Sequence, residues 1–305
     1  MTRHRFVALV AAALSLVLTV GACGDGSEPQ TSNGLPGTLR VGVIPNVSPE
    51  KQRAQYEPFR KYLGQRLGVD VELFVATDYA GVVAALVAKK VDIAYLGGLT
   101  YVQAAEQAPV TPIVTEVDRE TGTPKYLSAI VVKADSRFRS TGDVLAAKGR
   151  FAFGDPSSTS GSLYPRVMLT RAGAKCDPLE ITKCPPLSEV TFTGGHDATA
   201  QAVENGSVDA GGIELRILHR LEKQGTVPKG ALRVVETTEV QGYPWVVRDG
   251  LGDAARQAVT TAFTTMSDPT LLDLMRAKRY VPVTAADYAE VRRNASELGL
   301  LTEGR

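Results

Sequence analysis

Gly154-Asp155-Pro156-Ser157-Ser158-Thr159-Ser160-Gly161-Ser162 places five hydroxyl side chains within six residues. A short apolar run, Phe151 to Phe153, precedes this segment, and a helical pattern from Leu163 to Ala172 follows it. A helix start carries backbone N–H groups with no partner inside the helix and about half a positive charge. Hydroxyls at such a strand-to-helix turn add donors that can converge on one tetrahedral oxyanion. The plainer reading is a Ser/Thr-rich turn in which one hydroxyl caps the helix and the others meet water. No Gly-Lys-Ser/Thr follows at Walker spacing, and the turn is not a Gly-x-Ser-x-Gly nucleophile elbow.

Of the three histidines, His4 lies in a leader and His219 on a polar helix face, which leaves His196 as the site candidate. It follows Gly194-Gly195 at a second expected helix start, a position that suits an anion donor and equally a structural cap. Ser158, His196 and Asp197 would make a hydrolase possible. Nothing in the sequence supplies an orienting acid and an oxyanion hole together.

These turns need elements to hold them. Leu39 to Ile44 reads as a buried strand ended by Pro45. Ser48-Pro49-Glu50 opens a helix to about Leu67, with Tyr56, Phe59, Tyr62 and Leu63 on one face. Pro58 predicts a kink or a split in that helix. Val69 to Val75 reads as a strand, and Thr77-Asp78 caps a helix from Tyr79 to about Lys90. Val91 to Leu96 is a further strand, followed by Gly97-Gly98 and a helix through Ala105. Strands alternating with helices predict α/β lobes with mainly parallel sheets. A weak internal repeat supports two similar lobes. The helix Tyr79 to Lys90 leads into Val91-Asp92-Ile93-Ala94, and the helix His196 to Gly206 leads into Val208-Asp209-Ala210-Gly211. Leu127 to Lys133, Leu232 to Val235 and Pro244 to Val247 read as later strands. Crossings just before Leu127 and just before Pro244 give one lobe of 38–125 plus 242–305 and a second of 126–241.

The N-terminus reads as an address. Arg3, His4 and Arg5 precede an apolar run from Phe6 to Val20, too short for a comfortable bilayer span. Val20-Gly21-Ala22-Cys23 resembles a bacterial lipobox. Residues 1–22 are then a lipoprotein signal peptide, Cys23 the lipidated residue, and 23–37 a polar tether on the extracytoplasmic face of the cell membrane. Cys176 and Cys184, eight apart in an exported chain, are expected to form a structural disulfide, with no metal site.

At 305 residues, 44% hydrophobic and 22% charged, the chain can bury two cores and is not disordered. A net charge of +1 gives no electrostatic footprint for nucleic acid. The one membrane-grade apolar run is the leader, which excludes a polytopic membrane protein.

Asp78-Tyr79-Ala80-Gly81, Val91-Asp92-Ile93-Ala94, Ser158-Thr159-Ser160-Gly161, Gly195-His196-Asp197 and Val208-Asp209-Ala210 occur in order. This set resembles the phosphate/phosphite/phosphonate-binding proteins of ABC importers, from Leu39 to about Val283. The resemblance implies a two-lobed periplasmic binding protein fold of type II with the ligand in the interlobe cleft. It implies a non-enzymatic, cofactor-free, monomeric capture protein that docks on an ABC permease with its ATPase. By the same resemblance Tyr79, Tyr126, Ser158, Thr159, Ser160 and His196 hold the phosphorus group. Family members that bind an aminoalkylphosphonate resemble one another in two carboxylates for the ammonium. The matching positions here are Arg216 and Tyr243, and Glu214 takes the first role only if the register shifts. The implied ligand therefore lacks an amine: phosphite, phosphate, a small alkylphosphonate, or a more anionic phosphonate using Arg216. The other functional readings are a secreted hydrolase built on Ser158 and His196, and a ligand-sensing lipoprotein.

Overall fold

The computed structural model describes residues 31–301. The expected signal peptide, the lipidated Cys23 and the first part of the tether lie outside the described residues.

The chain begins β1 (Thr38–Val43), α1 (Pro49–Leu67), β2 (Asp70–Val75), α2 (Tyr79–Val87), β3 (Ile93–Tyr95), α3 (Gly98–Gln107) and β4 (Thr111–Asp118). It continues as β5 (Lys125–Lys133), α4 (Thr141–Ala146), β6 (Arg150–Phe153), a π-helical turn (Thr159–Leu163), α5 (Tyr164–Arg171), β7 (Glu189–Phe192), α6 (His196–Glu204), β8 (Ala210–Glu214), α7 (Leu215–Lys223) and β9 (Leu232–Gln241). It ends with β10 (Pro244–Val247), α8 (Asp253–Thr264), α9 (Pro269–Leu274), β11 (Ala277–Pro282), a short 3-10 turn and α10 (Ala289–Glu297). Two sheets result, ordered β11-β4-β10-β3-β1-β2 and β7-β6-β8-β5-β9. Each is the centre of one lobe.

The sheets are mixed, not mainly parallel. β2-β1-β3 and β7-β6-β8 are parallel, as strands linked by helices should be. β10, β4 and β11 join the first sheet, and β5 and β9 the second, through antiparallel pairings. The chain passes between the sheets at 119–124 and 242–243, and strands that carry it across have no helical return to set them parallel. The two crossings run side by side: Lys125 faces Gln241, and Gly242 N donates to Pro124 O at 3.0 Å.

Three other expectations change. The α1 helix is not split at Pro58, because Tyr56, Phe59, Leu63 and Leu67 bury turns on both sides of it against the sheet. Packing of that extent offsets the roughly 3 kcal/mol a proline costs in a helix interior. The segment expected to be tether up to Gly37 is packed from Thr31 onward. Leu35 is fully buried in the first lobe's core, and Leu35 N bonds back to Thr31 Oγ1 at 3.2 Å. The β9 strand is also longer than its apolar start, because its polar continuation pairs along β5.

The Val-Asp repeat has a structural meaning. Asp92 accepts the backbone N–H of Arg40 at 2.9 Å and its guanidinium at 2.9–3.0 Å. Asp209 accepts the backbone N–H of Arg150 at 2.8 Å and its guanidinium at 3.2 Å. In each lobe the aspartate precedes one parallel strand and clamps an arginine on its neighbour. The first core is aromatic, with Trp245 packed on Phe59 and Phe263 at 5.0 and 4.7 Å between centroids. The second is split across the two faces of its sheet. Cys176 and Cys184 are joined by a disulfide, with Cys184 buried in one of the second lobe's two apolar clusters.

Candidate functional site

Four segments begin to coil where the two lobes meet: α2 at Tyr79, α3 at Gly98, the π-helical turn at Thr159 and α6 at His196. Backbone donors and side chains tie them together across the lobes. Tyr79 N donates to Asp155 Oδ2 at 3.1 Å. Leu99 N donates to Thr159 Oγ1 at 2.9 Å. His196 N donates to the carbonyl of Asn46 at 3.0 Å. The N-terminal ends of these helices therefore meet at the lobe junction.

The Ser/Thr-rich turn divides its labour. Ser158 Oγ accepts Gly161 N at 2.9 Å and is the helix cap that the plainer reading required. Ser128 Oγ donates to Ser160 O at 2.8 Å and fixes the turn to β5. Thr159 Oγ1 accepts from Leu99, which leaves its own proton to donate. Ser160 Oγ and Ser162 Oγ are buried and have no hydrogen-bond partner among the described residues. Tyr126 Oη, His196 Nε2 and Asn46 Nδ2 are in the same condition. The Tyr126 hydroxyl lies beside those of Ser160 and Tyr243 without a hydrogen bond of proper geometry to either. Buried donors left unpaired cost about 1–3 kcal/mol each. Tyr126 on β5, Ser160 in the π-helical turn, His196 at the start of α6 and Asn46 after β1 together make a site suited to an acceptor-rich group.

His196 is neutral here. Its Nδ1 accepts Glu214 N at 3.3 Å, so the ring proton sits on Nε2. Burial pushes its pKa down to about 4, against a smaller opposing pull from Glu214. Asp197 does not orient the ring, since its carboxylate takes Ser48 N and Ala198 N and lies near Lys51. The Ser158–His196–Asp197 hydrolase arrangement is thus not assembled.

The tyrosines frame the site. Tyr79 Oη donates to Asn46 Oδ1 at 2.7 Å, and Tyr243 Oη donates to Glu214 Oε2 at 2.5 Å. Burial raises the pKa of Tyr79, Tyr126 and Tyr243, so all three remain phenols. Sequence reasoning missed Asn46. The signal for Asn46 was its place directly after a buried strand, where ligands of α/β sheets bind.

Arg216 requires a correction. It is not a bare cation facing a ligand. Its Nε donates to Glu214 Oε1 at 2.7 Å and its Nη1 to Asp118 Oδ2 at 2.9 Å and Glu116 Oε1 at 3.2 Å. Burial opposes its charge, but these carboxylates hold its pKa above the ordinary arginine value. Burial would likewise raise Glu214, yet Arg216 and Arg276 bring it down to about 2.

A family model described as the periplasmic substrate-binding protein of phosphonate ABC transporters matches residues 41–288. A phosphate-import protein of Mycolicibacterium smegmatis is 32% identical over 307 residues, covering 95% of this chain and 94% of its own length. A probable ABC transporter phosphite binding protein of Prochlorococcus marinus is 27% identical over 90% of this chain and 92% of its own length. The structure of PhnD1 from Prochlorococcus marinus in complex with methylphosphonate superposes with a TM-score of 0.74 at 25% identity, covering 86% of this chain and 98% of that one.

Proposed function

The chain belongs to the periplasmic substrate-binding proteins of phosphonate ABC transporters, and from that premise we propose that it captures a small, amine-free phosphorus oxyanion for import. Phosphite, phosphate and methylphosphonate are the candidate ligands. The observation that carries this reading is the set of buried, unpartnered, uncharged donors at the lobe junction: Tyr126 Oη, Ser160 Oγ, His196 Nε2 and Asn46 Nδ2. Neutral donors and helix starts stabilise a phosphorus oxyanion without burying matching cations. Thr159 donates its free proton beside them, while Ser158, Tyr79 and Tyr243 hold the donors in place.

An amine has no partner in this arrangement. Asp155 already accepts Ser157 N and Tyr79 N, and Glu214 already accepts Tyr243 and Arg216. The ligand is bound unchanged, since His196 is not paired with Ser158 as a base and its ring is held by the backbone N–H of Glu214 and not by Asp197. The lobes, 38–125 with 242–305 and 126–241, close over it through the contacts of Thr159 with Leu99 and of His196 with Asn46. The body is a monomer, tethered to the extracytoplasmic face of the membrane through lipidated Cys23, and it delivers the ligand to an ABC permease driven by its ATPase.

Calorimetry with phosphite, phosphate, methylphosphonate, 2-aminoethylphosphonate and methanesulfonate tests the reading. Saturable binding of at least one of the first three, tighter than the last two, is expected. Tighter binding of 2-aminoethylphosphonate than of phosphite and phosphate overturns it.

A further inference from the structure

Three helices of the first lobe start without a complete cap of their own, and an oxygen of the second lobe meets each start. In α3 the N-cap position is held by Gly97, where a serine or threonine hydroxyl would take the N–H of the second or third helical residue. Thr159 Oγ1 takes that N–H, from Leu99, at 2.9 Å. The space exists because Gly97 has no side chain: a Cβ there would lie 2.8 Å from the threonine oxygen. The N-cap of α1 is Ser48, whose hydroxyl makes no capping bond, and the third helical residue is Lys51, which cannot accept the N–H of Ser48 as an acid there would. Asp197 Oδ2 accepts it at 3.4 Å and lies 3.6 Å from Lys51 Nζ. In α2 the N-cap Asp78 serves Gly81 N at 2.7 Å and leaves Tyr79 N, which Asp155 Oδ2 takes at 3.1 Å.

All three oxygens come from two turns of the second lobe. Asp155 and Thr159 follow β6, and Asp197 lies in the first turn of α6, after β7. Both aspartates are buried, and each is divided between the lobes. One oxygen of Asp155 holds Ser157 N of its own turn at 2.7 Å, and one oxygen of Asp197 holds Ala198 N of its own helix at 3.0 Å. The other oxygen reaches across. A carboxylate is favoured at a helix start by the unpaired N–H groups and by the helix dipole. A first turn carries several such groups, so a cap on one of them does not displace an oxyanion bound by others.

We propose that Asp155 and Asp197, together with Thr159, are positioning residues for ligand capture: they cap helices of the first lobe from the second, so that those helix starts are completed only in the closed protein. This rests on the reading of the chain as a two-lobed protein that closes on an oxyanion. The aspartates act without touching the ligand. When the lobes part, each N–H and its acceptor return to water; when they meet, the bonds form in a dry junction, where charge-assisted hydrogen bonds are strongest. Loss of such a cap favours the open form and so raises the apparent dissociation constant of the ligand. Gly97 has a functional reason under this arrangement. A side-chain cap at that position would stabilise α3 within its own lobe and exclude the cap that closure delivers.

The test reads methylphosphonate dissociation constants by titration calorimetry, and ligand-free thermal midpoints, for the wild-type mature chain, Gly97→Ser, Asp155→Ala, Asp155→Asn and Asp78→Ala. Gly97→Ser should hold or raise the midpoint, because a serine N-cap suits the extended backbone at that position. It should also weaken binding by about tenfold or more, because its Cβ pushes Thr159 away. Asp155→Ala should weaken binding by roughly fivefold or more, and Asp155→Asn, which keeps an acceptor oxygen, should recover most of that loss. Asp78→Ala removes the cap that α2 has within its own lobe, so it should lower the midpoint and leave the dissociation constant within about twofold of wild type. Lower midpoints for Gly97→Ser and Asp155→Ala with unchanged affinity would make these contacts purely structural, which overturns the inference and leaves the functional reading in place. If Gly97→Ser does not fold, the comparison of Asp155→Ala with Asp78→Ala decides alone. A wild-type protein that binds none of methylphosphonate, phosphite and phosphate overturns both.

Discussion

The backbone N–H of Glu214 donates to Nδ1 of His196 across 3.3 Å. A strand end in the second lobe thereby sets the tautomer of a ring at the start of α6, the helix that leads into that strand, and leaves Nε2–H as a neutral donor. Because the same residue's side chain receives Tyr243 and Arg216, Glu214 links the donors to the ionic layer behind them.

The depressed pKa of His196 makes stability depend on pH in a defined direction. In the unfolded chain the ring takes a proton below about pH 6.5, while in the folded protein it stays neutral down to about 4. Its contribution is fully present above pH 6.5 and is lost as pH falls toward 4. The lost amount is on the order of 3 kcal/mol for that shift. Thermal unfolding of ligand-free wild type and His196→Gln between pH 4 and 8 should show the steeper acid decline in wild type. Parallel curves would refute the neutral ring.

Thr159 joins closure to binding through one oxygen. In Thr159→Val the Leu99 N–H loses its acceptor and the ligand loses a donor. Dissociation constants for the oxyanion should rise by roughly tenfold or more, while Thr159→Ser stays near wild type. Calorimetry on both variants decides this, and equal affinities would reduce Thr159 to a packing residue.

Gly161 is required by close approach. A Cβ there would lie 2.9 Å from Ser158 Oγ and 3.1 Å from His196 Cε1. Gly161→Ala should displace the cap and the ring together, weakening ligand binding by at least about tenfold with a smaller effect on the rest of the lobe. Loss of ligand-induced thermal stabilisation, with far-ultraviolet circular dichroism unchanged, is the expected result.

Asn46 has two jobs, holding Tyr79 through Oδ1 and α6 through its carbonyl, with Nδ2 left to donate. Asn46→Ala should lower affinity by about tenfold. Asn46→Asp should lower it further, since a carboxylate would then face the ligand's oxygens. If the aspartate variant binds as well as wild type, Nδ2 does not face the ligand.

Small-angle scattering offers a separate check on closure. Adding a saturating ligand should compact an open population into the closed arrangement, in which Thr159 meets Leu99. An unchanged radius at saturation would count against it.

Periodicity revealed β1, α1, α2, β3, α6 and the strand-to-helix turn at Ser158, because local alternation and turn chemistry alone specify them. It did not reveal β4 or β11. The β4 sequence Thr-Pro-Ile-Val-Thr-Glu-Val-Asp carries a proline and two acids, yet it is buried along nearly its whole length. Those acids are paired with Arg216, about a hundred residues away, and Asp118 also accepts the backbone N–H groups of Glu120 and Thr121. Arg216 itself read as a charge facing the cleft, since its partners cannot be seen from its neighbours in sequence.

The amino-acid sequence by itself determined the α/β alternation, the two Val-Asp units, the hydroxyl-rich turn and the family. Those depend on nearest neighbours, helix and strand periods, and short motifs. Tertiary structure alone decided which donors are left unpartnered, which nitrogen of His196 carries the proton and what Arg216 is paired with. Each of these is set by groups that only folding brings together, and in a buried site the energy of a polar group depends on who faces it, not on who precedes it in the chain.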